Sequence, residues 1–255
     1  MNSSRFDLVE EKLDAGEPLS DRDISELSST TNLLRLGALA DERRRCESGA
    51  KVTFVRVFEV LFGAELDSQQ APDSAGEVRI IGRPDSIDNA IQEVQRVVSL
   101  SGLVPVTGFK LEELVSLCGG EPDRFERLVS SLKQSGLACV SEVSVDSDID
   151  VSWLKCCVGK DLPINSAVIQ DNVLAADVAV NRIKGWNHAY KIQAFSPLPK
   201  NVPPEPTTGY KDVHRVALAR VLVDNIPSIQ VDWKLYGPKL AQVALAFGAN
   251  DVDRV

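Results

Sequence analysis

The most regular pattern of apolar and polar positions lies between residues 209 and 251. Val213, Val216, Ala217 and Leu222 recur at helical spacing up to the polar pair Asp224-Asn225, and Ile226-Pro227 then forces the backbone to extend. Ile229, Val231 and Trp233 alternate with Gln230, Asp232 and Lys234, which predicts a strand with two unlike faces. Gly237-Pro238 turns the chain into another helix. Pro238 suits a first helical position, Leu240, Val243, Ala244 and Phe247 fall at i, i+3, i+4 and i+7, and Gly248 stands where a left-handed cap belongs.

From the N-terminus the pattern predicts three helices. Residues 7–13 form an acidic amphipathic turn ended by Gly16-Glu17-Pro18. Ser20 caps the second helix, with Asp21 and Asp23 complementing its dipole, and residues 33–46 form the third, closed at Gly49. Residues 51–63, KVTFVRVFEVLFG, then read as a buried strand, and the polar, turn-rich stretch 64–77 as a loop. Strands at 78–82, 103–109, 137–145, 164–169 and 191–195 alternate with helical stripes. These are Ile87, Ile91, Val94 and Val98; Leu111, Leu114, Val115 and Cys118; Phe125, Leu128, Val129 and Leu132; and residues 173–183. The Pro-rich stretch 200–210 is a loop.

Strands centred near 54, 79, 105, 140, 167, 193 and 231 make about seven, and their alternation with helices implies parallel pairing with right-handed crossovers. The expected fold class is α/β: a TIM-like (βα) barrel, partial or open, over residues 51–255, behind an N-terminal helical lead-in over residues 1–50.

Composition narrows the function classes. The 255 residues are 44% hydrophobic, enough for a sizeable core, and carry a formal charge of −9. That balance argues against partners bound by charge, whether nucleic acid or an anionic membrane surface, and favours a cytoplasmic protein. No apolar run approaches the roughly 20 residues that span a bilayer, and the acidic, interrupted opening residues do not read as a secretory signal. Cys46, Cys118, Cys139, Cys156 and Cys157 show no disulfide-framework spacing and are expected to be reduced thiols.

The stretch DNIP-x-I-x3-W-x3-GPKLAQVALAFGAND, residues 224–251, resembles the C-terminal part of the aminofutalosine synthase group of radical S-adenosylmethionine enzymes. Relatives of that group include the dehypoxanthinyl futalosine cyclase and the deazaflavin-forming synthase. GEPLSDRD and LLRLGALADERR resemble the family's helical lead-in, and QAFSPL, residues 193–198, a segment on its substrate side. The resemblance implies a barrel whose first strand leads into a Cys-x3-Cys-x2-Cys loop. Three thiolates there hold three irons of a four-iron cluster, leaving the fourth open to S-adenosylmethionine. In this chain no cysteine lies between Cys46 and Cys118, so residues 64–77 stand where the cluster module would be.

The chain thus resembles a degenerate member of the group: no 4Fe-4S cluster or other cofactor is expected, no metal ligands, and no radical chemistry in this chain alone, with S-adenosylmethionine affinity left open. The implied role is a non-catalytic partner or regulatory subunit of a cluster-bearing radical paralogue in futalosine-route menaquinone biosynthesis, where the family's activity is a transferase. The alternative is a non-radical enzyme or binding protein acting on a nucleoside or futalosine-like ligand, with Glu142 or Asp232 as the acid.

Ligands of such barrels sit at the C-terminal ends of the strands. The residues expected there are Arg83, Thr107, Glu142, Asn165, Gln193, Ser196, Asp232 and Lys234; the plainer reading is that they solvate the rim. His188 and His214 lack nucleophile, metal or triad spacing and read as structural. Trp153, Trp186 and Trp233 read as core or lid residues, and Gly119-Gly120 as an interhelical turn.

Overall fold

The computed structural model describes residues 5–64, 71–171, 175–186, 190–201 and 209–255. Three helices open the chain: α1 (Arg5–Asp14), α2 (Asp21–Ser29) and α3 (Leu33–Ser48). Phe6 and Val9 are buried apolar positions of α1, and Ile24 and Leu27 of α2. Ser20 caps α2, as the sequence suggested, and does so in a reciprocal box with Asp23. Arg35 ties α3 to α1, stacking 4.4 Å above the Phe6 ring and pairing with Asp7 and Glu10.

The barrel is built from β1 (Thr53–Phe54), β2 (Val57–Leu61), β3 (Glu77–Ile81), α4 (Ile87–Ser101), β4 (Val106–Lys110), α5 (Leu111–Leu117), α6 (Pro122–Gln134), β5 (Leu137–Ser144), α7 (Val151–Gly159) and β6 (Ile164–Ile169). It continues through α8 (Ala176–Lys184), β7 (Ile192–Pro199), α9 (Tyr210–Leu222), β8 (Ser228–Asp232), α10 (Trp233–Ala246) and β9 (Asp251–Asp253). All ladders are parallel, in the order β1-β9-β8-β7-β6-β5-β4-β3-β2. This is the expected TIM-like barrel, open at one seam.

The seam falls inside the first strand. β1 and β2 are successive parts of one extended run and make no ladder with each other: β1 pairs with β9, β2 with β3. The change of partner occurs between two adjacent residues. Val55 donates to the Val252 carbonyl at 3.0 Å, while the Arg56 carbonyl accepts from Gly76 and Glu77 at 2.9 and 3.2 Å. The chain itself therefore bridges the two edges of the sheet.

Several sequence expectations need correction. The run 51–63 is two short strands, and Glu77, assigned to a loop, begins β3. Among the described residues the strands number nine, because that run divides and because β9, three residues long, was not foreseen; neither was α7, capped by Asp150. Trp233 begins α10 rather than ending β8, and the helix is broken at Gly237, whose φ of 78° and ψ of 163° are not helical. On α10 the fully buried positions are Ala241 and Ala244, with Leu240 and Phe247 half-buried, whereas Val243 is exposed. Residues 65–70, most of the 200–210 loop, the start of the 173–183 helix and His188 lie outside the described residues.

The core sits between the strands and the surrounding helices. Leu128, Val129 and Leu132 of α6 are buried there with Val140 and Ile164, and Phe125 meets Trp153 of α7 edge to face at 5.0 Å. Each fully buried side chain of this size contributes about 1.5–3 kcal/mol of transfer free energy. Outside the barrel, α3 packs on α9 and α10, and Gly37 admits the Phe247 ring, whose Cε1 would lie 2.4 Å from an added Cβ. No described helix is long and apolar enough to cross a membrane.

Candidate functional site

Inside, the barrel departs from the layers of branched apolar residues usual in such folds. Thr107 Oγ1 donates to Glu77 at 2.5 Å, and Arg79 Nε donates to the same carboxylate oxygen at 2.6 Å. Ser166 donates to Gln230 at 3.2 Å, Gln230 Nε2 to Asp251 at 2.6 Å, and Thr53 Oγ1 to the other Asp251 oxygen at 2.6 Å. Arg79 also grips Asp253 through two bonds of 2.9 Å. A buried polar interior is tolerable only when its members are satisfied in this way.

The C-terminal strand ends open on a cavity of about 400 Å³. Glu59, Arg79, Lys110 and Glu142 reach it from β2 to β5, and Gln170, Lys200 and Arg254 are the residues immediately after β6, β7 and β9. Arg254 bonds Asp232 through Nε at 2.8 Å and again through Nη2, and Glu59 through Nη1 at 3.0 Å. Lys234 closes on Glu59. Lys110 Nζ lies 3.3 Å from Glu142 and donates to Gln170 Oε1 at 3.2 Å, while Lys200 Nζ lies 3.4 Å from Asp232 and 3.8 Å from Glu142.

Burial pushes the Asp253 carboxyl up, but the Arg79 guanidinium, helped by Lys200 and Arg254, outweighs it and holds the group below its ordinary range. Glu59 is held low against burial by Lys234 and Arg254. Glu113, at the head of α5 and on the cavity wall, behaves oppositely: burial raises it. Cys139, inside the barrel, is pushed up to about 11 by burial and by Glu77, which makes it an unreactive thiol.

Of the residues singled out from sequence, Glu142, Asp232 and Lys234 join this mouth network. Thr107 and Ser196 are buried in the barrel, Ser196 donating to the Gln230 carbonyl at 3.4 Å. Arg83 is exposed and donates to Ser116 of α5. Asn165 and Gln193 are each the second residue of their strand, at the opposite end from the mouth, and Gln193 approaches Cys139 at 3.5 Å. The mouth residues the sequence reading missed were Glu59, Arg79, Lys110, Gln170, Lys200 and Arg254. Their signals were a charge inside an apolar strand and a polar residue directly following one.

The resemblance also included positions that prove to be structural. Asn225 donates to the carbonyls of Ile183 and Trp186, satisfying the end of α8. Asn250 accepts from Arg220 and Ile229 N and donates to Ser48, locking α9, β8 and α3 together. His214 lies in a groove lined by α8, α9 and the turn after α2, where burial lowers it toward the neutral imidazole.

A four-iron cluster does not fit the donors present. Cys46 is exposed on α3, Cys118 follows α5, Cys139 is in β5, and Cys156 and Cys157 lie on α7, so the thiols do not converge on the mouth. Among the described residues no three His, Cys, Asp or Glu side chains are grouped to hold a metal.

The fold is shared with a solved barrel: methylornithine synthase (PylB) superposes with a TM-score of 0.67 over 97% of this chain and 86% of its own, at 13% identity. No family model matches the sequence. A 47-residue stretch, 18% of the chain, is 47% identical to aminodeoxyfutalosine synthase of Thermus thermophilus. A 45-residue stretch is 49% identical to the 5-amino-6-(D-ribitylamino)uracil–L-tyrosine 4-hydroxyphenyl transferase of Methanosphaerula palustris. The matches cover 13% and 12% of those curated relatives' lengths.

Proposed function

We propose that this chain is an aminofutalosine synthase-like barrel without a cluster of its own, serving in the cytoplasm as a non-catalytic partner or regulatory subunit of a cluster-bearing radical paralogue in the futalosine route to menaquinone. The observation that carries this reading is the passage from β2 to β3. It runs through residues 62–76 without a cysteine, at the place where the resembling enzymes hold their three thiolates. The mouth beside it is occupied by mutually paired ions, which suits a surface retained for shape rather than for radical chemistry. The local similarity to aminodeoxyfutalosine synthase supports that route.

The test is an anaerobic pull-down of the tagged chain from its native cell, with mass spectrometry of the eluate and an iron assay. A stoichiometric, iron-bearing radical enzyme is the expected companion. Recovery of the chain alone and without iron overturns the partner role.

A further inference from the structure

One corner of the mouth has more hydrogen-bond donors than acceptors. Lys110 and Lys200 share the Glu142 carboxylate at 3.3 and 3.8 Å, and the second partner of Lys200, Asp232 Oδ2, is already bonded twice by Arg254. Between the two lysines sits Gln170, its backbone fixed by Asp146 at 3.0 Å and by the amide of Asn201 at 2.8 Å. Its Oε1 faces the Lys110 ammonium, a donor-only group, so the amide cannot be reversed, and the Nε2 is the end left over. That Nε2 is buried in the cavity wall and donates to no acceptor among the described residues. A buried donor left unmade is costly.

The charge balance limits what can answer it. Arg79, Lys110, Lys200, Lys234 and Arg254 face Glu59, Glu77, Glu113, Glu142, Asp232 and Asp253 around the mouth. Among these carboxylates Glu113 pairs with no cation in the described residues, and burial favours its neutral form. Carboxylates already outnumber cations there, and Glu59, Glu113 and Glu142 line the cavity, so a second negative charge on a ligand is repelled where a single one is held by the two lysines. Ile81, Gly82 and Phe109 supply the apolar part of the lining.

We propose that the barrel mouth binds a small organic monocarboxylate, its oxygens taking the donors of Gln170 Nε2, Lys110 Nζ and Lys200 Nζ and its apolar body lying toward Ile81 and Phe109. This site stands apart from the partner role, since it needs this chain alone.

The purified full chain is titrated by calorimetry and by amide chemical-shift perturbation with acetate, hexanoate and benzoate, with benzamide as the neutral isostere and phenyl phosphate as the dianion. Benzoate or hexanoate is expected to bind at least tenfold more tightly than benzamide and phenyl phosphate. Gln170→Leu and Lys200→Met should each weaken that binding at least tenfold with unchanged circular dichroism, and Lys110→Met provides the same readout where one of them fails to fold. Lys133→Met, on an exposed ion pair with Asp161, should leave it unchanged. Equal or tighter binding of phenyl phosphate, no binding of any monocarboxylate, or binding untouched by the mouth variants overturns the proposal. None of these results depends on a companion appearing in the pull-down.

Discussion

The barrel has two unlike walls. On the far wall β5, β6 and β7 run for eight, six and eight residues, and Val140, Ile164 and Phe195 are fully buried. On the seam wall β1 and β9 are two and three residues long, and Phe54 and Leu61 are 64% and 58% exposed. Backbone ladders and apolar packing hold the far wall. At the seam, where the ladder changes partner in mid-strand, Arg79 of β3 reaches Asp253 of β9 across the first strand, and Arg254 joins Asp232 of β8 to Glu59 of β2. Directional ion pairs stand in for ladder and core where both are short.

The largest way to break this contrast is Asp253→Ala. It strips the buried Arg79 of its bidentate partner, and removing one member of a buried pair typically costs about 3–5 kcal/mol. Urea unfolding should register that loss. A loss under about 1 kcal/mol, the scale of an exposed pair, would show that the seam does not depend on it.

Acid acts less severely, and with opposite signs at the seam and at the head of α5. Asp253 and Glu59 titrate below their ordinary 3.8 and 4.5, so their contribution is complete above those values and is lost as pH falls through the folded-state pKa. Glu112 and Glu113 are raised by burial, so their contribution is complete below 4.5 and is lost as pH rises through theirs. Urea midpoints measured from pH 3 to 8 should fall at the acid end. Asp253→Asn should flatten that acid limb, and Glu113→Gln the decline on the alkaline side. An unchanged acid limb in Asp253→Asn would assign acid sensitivity to other groups.

The alternation of strands and helices was legible because each far-wall strand is long enough to show its pattern and each helix carries an apolar stripe. β9 was not, since Asp251-Val252-Asp253 is too short for periodicity to separate from a turn. Gln193 was misplaced for a related reason. The strand was expected over 191–195, but Pro197 lies beyond Phe195, the last β7 residue laddered to β8, so its missing N–H breaks no bond there and β7 runs on to Pro199. The mouth was half legible: Glu142 and Asp232 are charges at strand ends, whereas Glu59 and Arg79 sit within apolar runs, and only barrel closure turns them toward each other's partners. That no cysteine lies between Cys46 and Cys118 needed no structure at all.

The smallest effect belongs to the far wall. Ile164→Val removes one methylene at a fully buried position of β6, in register with Ile192 of β7 and Val140 of β5. Such a change costs about 0.5–1.5 kcal/mol, because apolar neighbours share the loss and no polar group is left unpaired. Measured in the same urea series as Asp253→Ala, it should be several-fold milder and should leave the pH profile unaltered, since it removes no ionisable group. A loss as large as that of Asp253→Ala would mean that the far wall is as brittle as the seam, and the division of labour between ladder and ion pair would have to be abandoned.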